Sequence, residues 1–110
     1  MTSSVTGVKN ILIATKTAPK DEPSADRYNL EPDGKYVLEL FACDHGGHSD
    51  GIWVCYQLDT ATPEEKATGT ENMSYHDRVP ISGVHQVAIW ARGDDVDRNG
   101  RVFYTLYRES

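Results

Sequence analysis

The length, composition and charge of the chain limit what it can be. With 110 residues, of which 38% are hydrophobic and 25% charged, it fits a single globular domain over 1–110 and is too short for two independent cores. Its net charge of −6 argues against partners that are bound through clustered lysine and arginine, because 11 basic residues are scattered among 17 acidic ones. We therefore expect no binding to nucleic acid or to membranes.

The N-terminal residues 1–16 lack the features of an export signal. No cationic segment precedes a long apolar stretch, and the longest apolar run, 11–14, is far too short to span a membrane. This pattern is typical of a cytoplasmic or otherwise leaderless protein, in which cysteines are usually reduced.

The first half of the chain combines strand patterns with a long loop. Residues 8–16 predict a first strand, and residues 17–34, with three prolines and many turn formers, predict a long loop. The runs 35–43 and 51–58 are rich in apolar and aromatic residues, and 35–43 alternates well, which is typical of strands with one buried face.

These two runs predict a β-hairpin over 35–58. Folding it about the Gly- and His-rich segment between them places Cys43 opposite Cys55. The same register joins six side chains into one apolar face, as a core-facing sheet requires: Leu38, Leu40, Ala42, Val54, Tyr56 and Leu58.

The middle of the chain predicts one helical turn and one edge segment. Thr62 is a suitable N-cap, with proline and two glutamates after it, so a short helical turn is expected near 62–68. Residues 75–81 predict an edge segment, because Pro80 cannot donate a hydrogen bond within a sheet.

The C-terminal part predicts a second hairpin, over 84–108. Its strands, 84–91 and 101–108, flank the loop 92–100, which ends in an Asn-Gly turn signal. Together these patterns predict an all-β protein: a small antiparallel β-sandwich or barrel of about five to seven strands, with at most one short helical turn.

The loop of the first hairpin, 43–50, contains two histidines, two aspartates and a cysteine. Imidazole and thiolate groups are zinc ligands, and His45 and His48 are close enough in sequence to bind one ion. The spacing matches none of the usual zinc patterns, because no paired C-x-x-C is present. A polar turn with structural cysteines, reduced or joined in a disulfide, is therefore favoured over a zinc site.

The second loop resembles half of a calcium-binding loop. Asp95, Asp97 and Asn99 stand at alternate positions before a glycine, but Leu106 occupies the position where a twelfth-place carboxylate is required. The pattern favours a solvated acidic turn, so we expect no cofactor, with calcium or zinc as the less favoured alternative. The candidate metal ligands are His45, His48, Asp95 and Asp97.

Two tryptophans are candidates for ligand contact. Trp53 and Trp90 each lie on the less regularly apolar face of a predicted strand. Aromatic rings beside carboxylates and amides are typical of sugar-binding sites, and the same rings serve as hot spots in protein interfaces. The simpler interpretation is that both tryptophans fill the core between two sheets.

The function that these features favour is a non-catalytic recognition module that binds carbohydrate, in the manner of a lectin, through the hairpin loops 44–50 and 92–100. No nucleophile motif, metalloprotease motif or phosphate-binding loop is present, which argues against an enzyme. The residues expected to contact ligand are Asp44, His45, His48, Asp50, Trp53, Trp90, Arg92, Asp94, Asp95, Asp97 and Asn99.

Two alternatives stay open. The first is an acidic inhibitor or immunity-type protein that binds a basic protein partner, which gains support if six acidic residues converge on one face: Glu64, Glu65, Glu71, Asp94, Asp95 and Asp97. The second is a small metal-binding protein or enzyme that uses the 43–50 loop. A homo-oligomer is also open, because strands that are apolar on both faces can bury against another copy of the chain.

Overall fold

The computed structural model describes residues 10–44, 51–67, 73–93, 96 and 100–109. These residues form one 3-10 turn, Glu22–Ser24, and eight strands: β1 (Asn10–Thr17), β2 (Asp26–Asn29), β3 (Lys35–Asp44), β4 (Trp53–Leu58), β5 (Glu64–Ala67), β6 (Met73–Ser82), β7 (Gln86–Arg92) and β8 (Gly100–Glu109). All strand pairs are antiparallel and make two open four-stranded sheets. The predicted all-β antiparallel fold is confirmed; of the two predicted architectures, sandwich or barrel, it is the sandwich, with eight strands where about five to seven were expected.

The two sheets pack against each other around one hydrophobic core. Sheet 1 has the strand order β1-β8-β3-β6, and sheet 2 has the order β2-β7-β4-β5. Side chains along the strands alternate between the core and the outside, so each sheet has an inner and an outer face. The largest fully buried apolar side chains are Tyr104, Leu38, Leu40, Ile52, Ile89, Leu106, Val54, Val87 and Val102.

Five strands are confirmed to within two residues at the ends that the structure describes. They correspond to the predicted runs 8–16, 35–43, 51–58, 84–91 and 101–108. The predicted edge segment is confirmed as well, because β6 is the last strand of sheet 1 and contains Pro80.

Both predicted hairpins are wrong. The hairpin over 35–58 is split because β3 lies in sheet 1 and β4 in sheet 2; the hairpin over 84–108 is split because β7 and β8 also lie in different sheets. Among the eight described strands, only the β4–β5 connection joins neighbours within one sheet. Cys43 consequently does not face Cys55, and the two cysteines, both described, form no disulfide.

The core residues deduced from the false hairpin are nevertheless right. Five of the six are buried in the shared core, and the sixth packs against it: Leu38, Leu40, Ala42, Val54, Tyr56 and Leu58. Alternation decides which face of a strand is apolar. It gives the same pattern whether two strands lie side by side or face each other across a core, so it cannot choose between these arrangements.

The helical turn predicted near 62–68 is wrong, because Glu64–Ala67 forms β5 and pairs with β4. The few residues before Gly69 allow little helical hydrogen bonding, and nucleating a helix is costly. The edge of β4 provides backbone partners for the same residues without that cost. The capping pattern was therefore overridden by a tertiary contact.

The segment 17–34 is not a simple loop. It contains the 3-10 turn and also β2, which pairs with residues 86–89 of β7. Before the turn, the amide of Asp21 donates to the carbonyl oxygen of Ala91 (2.7 Å), so the chain bonds to β7 on both sides of the 3-10 turn. A four-residue strand containing only one apolar residue, Tyr28, is too short for alternation to detect.

Candidate functional site

Three connections between the sheets leave the sandwich at the same end. In sheet 1, Asp44 pairs with Gly100 of β8 and with Met73 of β6. In sheet 2, Trp53 pairs with Arg92 of β7 and with the last residue of β5. The connections 45–52, 68–72 and 93–99 run between these strand ends, so we call this region the loop end. It contains both of the loops in which the sequence predicts a site.

The bases of the two predicted loops touch each other. Gly93 has a φ of 122°, and a Cβ atom there would lie 2.4 Å from the carbonyl oxygen of Gly51. A Cβ atom on Gly100 would lie 2.5 Å from Cδ1 of Ile52 and 2.8 Å from the carbonyl oxygen of Cys43. Both contacts are closer than real Cβ atoms allow, so glycine is required where the two connections pass each other.

The predicted ligand residues fall into three groups. Trp53 and Arg92 are paired on neighbouring strands, with their side chains on the outer face of sheet 2. Asp44 is fully buried at the end of β3, and Trp90 is 3% exposed. The others lie outside the described residues and stay predictions: His45, His48, Asp50, Asp94, Asp95, Asp97 and Asn99.

A cluster of three side chains occupies the outer face of sheet 2 beside the loop end. The Arg92 guanidinium lies 4.4 Å from the centroid of the Trp53 ring, within cation–π range. Its Nε and Nη2 atoms donate to the two carboxylate oxygens of Glu65, at 2.9 and 3.1 Å. We call Trp53, Arg92 and Glu65 the Trp–Arg–Glu cluster.

The bidentate pair shifts the ionisation of both partners. Hydrogen bonding to Arg92 lowers the pKa of Glu65, and the same bonds raise the pKa of Arg92. Both side chains are more than a third exposed, so solvent screens their attraction. The geometry fixes the planes of the two groups and holds the guanidinium over the indole ring.

Trp90 and Cys55 lie beneath this outer surface. They pack together with Ala88, and the partly buried Ala25 and Trp53 pack against this cluster. Neither tryptophan fills the core between the sheets, so the simpler interpretation of the two rings is wrong. Both lie at outer-face positions of their strands, and only Trp90 is covered.

Cys55 is poorly suited to act as a nucleophile. Its thiol is fully buried, and burial together with the negative charge of Glu65 raises its pKa to about 12. A reactive cysteine needs a lowered pKa and access to solvent. Cys43 lies in the other sheet, so the two thiols are not parts of one site.

A row of three rings on the outer face of sheet 1 was missed by the sequence reasoning. Phe41 pairs with Phe103 on β8 and with His76 on β6. The Phe41 and His76 rings stack at a centroid distance of 4.5 Å and an interplanar angle of 8°, and the two phenylalanines are 39% and 44% exposed. Alternation along β3 could have predicted it, because Phe41 shares its strand face with Glu39, opposite the core-facing residues.

The metal and inhibitor alternatives gain little from the described residues. No group of three or more histidine, cysteine, aspartate or glutamate residues is placed to hold a metal in the described ranges, and the four candidate ligands lie outside them. Of the six acidic residues named for an inhibitor, only Glu64 and Glu65 are described, and Arg92 neutralises the second. Both alternatives stay predictions.

Within the described part of the chain, no helix has the length and apolar character needed to cross a membrane. Comparisons with protein-family models, with curated proteins and with solved structures found no match to this chain.

Proposed function

We propose that this protein is a non-catalytic recognition module that binds carbohydrate at the loop end of the sandwich. The observation that carries the proposal is the Trp–Arg–Glu cluster, which stands where the two predicted loops begin and end. Trp53 lies three residues after the end of the first loop, 44–50, and Arg92 is the first residue of the second, 92–100. The cluster is therefore adjacent in the chain to both predicted loops.

The chemistry of the cluster suits a sugar. A pyranose ring has an apolar face that stacks on an aromatic ring and a rim of hydroxyl groups that bond to planar polar groups. Trp53 is half-buried, which holds its ring rigidly while leaving part of it accessible. Arg92, whose guanidinium lies over part of the ring, and Glu65 supply donors and acceptors in fixed positions.

At the loop end, the residues that hold the strand ends in place differ from the residues proposed to contact ligand. The glycine contacts at residues 51, 93 and 100 pack the loop bases tightly, so the strand ends are held in place. The ligand-contacting groups can then vary without loss of the core, as is usual for loops on a β scaffold.

A glycan array with the full chain tests the proposal. We expect wild-type protein to bind at least one class of glycan, and Trp53→Ala to weaken that binding by about tenfold or more through loss of stacking. Arg92→Lys keeps the charge but loses the bidentate geometry, so it should weaken binding severalfold. The matched control is Phe103→Ala, which removes an exposed ring from the other sheet and should bind as wild type does.

Two outcomes would contradict the proposal. A blank array, together with capture of a single stoichiometric basic protein, would favour the inhibitor alternative. Unchanged glycan binding by a folded Trp53→Ala variant would place the site elsewhere on the molecule. Thermal unfolding of each variant shows whether a loss of binding reflects a loss of structure.

A further inference from the structure

The outer edge of β1 is the least protected sheet edge among the described strands. β1 is the first strand of sheet 1, and Ile11, Leu12 and Ile13 are 56%, 59% and 40% exposed. An edge strand presents unpaired backbone N–H and C=O groups, and large apolar side chains beside them favour pairing with another strand.

The other three edges carry recognised protections. β6 contains Pro80, with His76 and Arg78 exposed along the same strand. β5 has only four residues, of which three are charged. β2 is equally short, and its Asp26 and Arg27 are held in ion pairs. Proline, charge and short length all oppose the addition of a strand. β1 has eight residues, no proline and one charged side chain, Lys16, so it is the least protected of the four edges.

The charge of β1 indicates what kind of strand fits it. Lys16 is its only charged residue, and its Nζ atom lies 3.1 Å from the Asp26 carboxylate of sheet 2. The strand has no acidic residue, although the chain as a whole carries −6. Because the one charge on β1 is already paired with Asp26 in the same chain, a charged partner segment gains little there, whereas an apolar strand buries its side chains. A second copy of β1, whose only charge is paired in the same way, is such a strand.

We propose that two copies of this chain associate by antiparallel pairing of their β1 strands. The pairing joins the two copies of sheet 1 into one continuous eight-stranded sheet across a two-fold axis. It shields part of the exposed aliphatic side chains of both copies from water through cross-strand contacts, and it satisfies the backbone groups of both edges. The register shift between Leu12 and Ala14 marks a bulge in β1, which restricts regular pairing to the residues on either side of it.

Sedimentation equilibrium over a concentration series tests the association. The mass of the wild-type protein should rise from 12.3 kDa towards twice that value as concentration increases. Leu12→Lys places a charge on the edge and should weaken association by about tenfold or more. The matched control is Phe103→Lys, the same change at an exposed position on the outer face of neighbouring β8, which should associate as wild type does.

Hydrogen exchange identifies the surface that is used. Amides of β1 that point away from β8 should gain protection with concentration in the wild type, and not in Leu12→Lys. A wild-type protein that stays monomeric overturns the proposal, as does a dimer without added protection in β1. A dimer disrupted by Phe103→Lys and not by Leu12→Lys would mean face-to-face packing instead.

Two further measurements separate loss of association from loss of folding and from loss of glycan binding. Ile11→Lys repeats the test if Leu12→Lys shows a lowered melting temperature. The proposed carbohydrate site lies on sheet 2, so glycan binding by the monomeric variant measures it independently of self-association.

Discussion

On the outer face of sheet 2 an aromatic side chain is buried, whereas aromatic side chains at similar positions on the outer face of sheet 1 are exposed. On sheet 2, Trp90 lies on a central strand and is 3% exposed, packed with Cys55 and Ala25. On sheet 1, Phe41 and Phe103 also lie on central strands, yet both remain exposed. All three are large aromatic residues at outer-face positions, so neither residue type nor strand position explains the difference.

The difference comes from what the chain places over each sheet. The segment before β2 bonds to β7 through Pro19 and Asp21, turns through the 3-10 turn, and brings Ala25 against Trp90. The described part of the chain places no such cover over the two phenylalanines. The outer face of sheet 2 therefore has one aromatic ring, Trp90, that is covered, whereas both phenylalanine rings on the outer face of sheet 1 stay exposed.

The largest expected effect is on the free energy of unfolding. Trp90→Ala should lower it by about 3 kcal/mol, because a buried aromatic side chain is replaced by a cavity. Phe103→Ala should lower it by less than about 1 kcal/mol, since that ring is already hydrated. Urea denaturation of both variants measures the difference; equal losses would show that the two faces are not distinct.

The second prediction, intermediate in expected size, concerns the reactivity of the two cysteine thiols, one in each sheet. Cys55 on sheet 2 is fully buried with its pKa raised to about 12, whereas Cys43 on sheet 1 is half-buried. At pH 8 only about one Cys55 thiol in ten thousand is ionised. Iodoacetamide followed by mass spectrometry should therefore label Cys43 first and Cys55 only after unfolding. Equal labelling of both in folded protein would contradict this picture.

The smallest expected effect concerns two glutamates, one on each outer face. Glu65 has its pKa lowered chiefly by Arg92, and Glu39 has its pKa lowered chiefly by a hydrogen bond from Tyr107. A carboxyl group whose pKa is lowered by folding contributes stability above its ordinary pKa of about 4.3, and that contribution is lost as the pH falls through its lower folded value.

Glu65→Gln should therefore lower the free energy of unfolding by up to about 1 kcal/mol at pH 7, and by progressively less below pH 4. Glu39→Gln should cost less at pH 7, because the amide oxygen still accepts the bond from the Tyr107 hydroxyl (2.8 Å). Urea titrations at pH 7, 5, 4 and 3 measure both variants. A pH-independent loss in Glu65→Gln would rule out the ion pair as its cause.

Several parts of the fold follow from local patterns. Alternation along β3 assigns Leu38 and Leu40 to the core, and Pro80 places β6 at an edge. At the candidate site, the two polar loops and the two tryptophans are visible in the chain. That the loops share one end of the sandwich is not visible, because it depends on which sheet each strand joins.

Tertiary contacts also override local signals. The capping pattern at Thr62 favours a helical turn, but the following residues instead form β5 by pairing with the edge of β4. The proline-rich segment 17–34 reads as a loop, but β7 offers partners that make part of it a strand. In both places a hydrogen-bonded edge distant in sequence outweighs a weak local preference.

The sequence by itself determined that this protein is an all-β antiparallel domain, where most of its strands lie and which side chains they bury, because a period of two residues is a local property. Only the tertiary structure decided that consecutive strands cross between sheets, that Trp53 and Arg92 meet at one end, and that one outer face is covered while the other is exposed. Those features depend on long-range pairing, and side-by-side and face-to-face strands carry the same alternation.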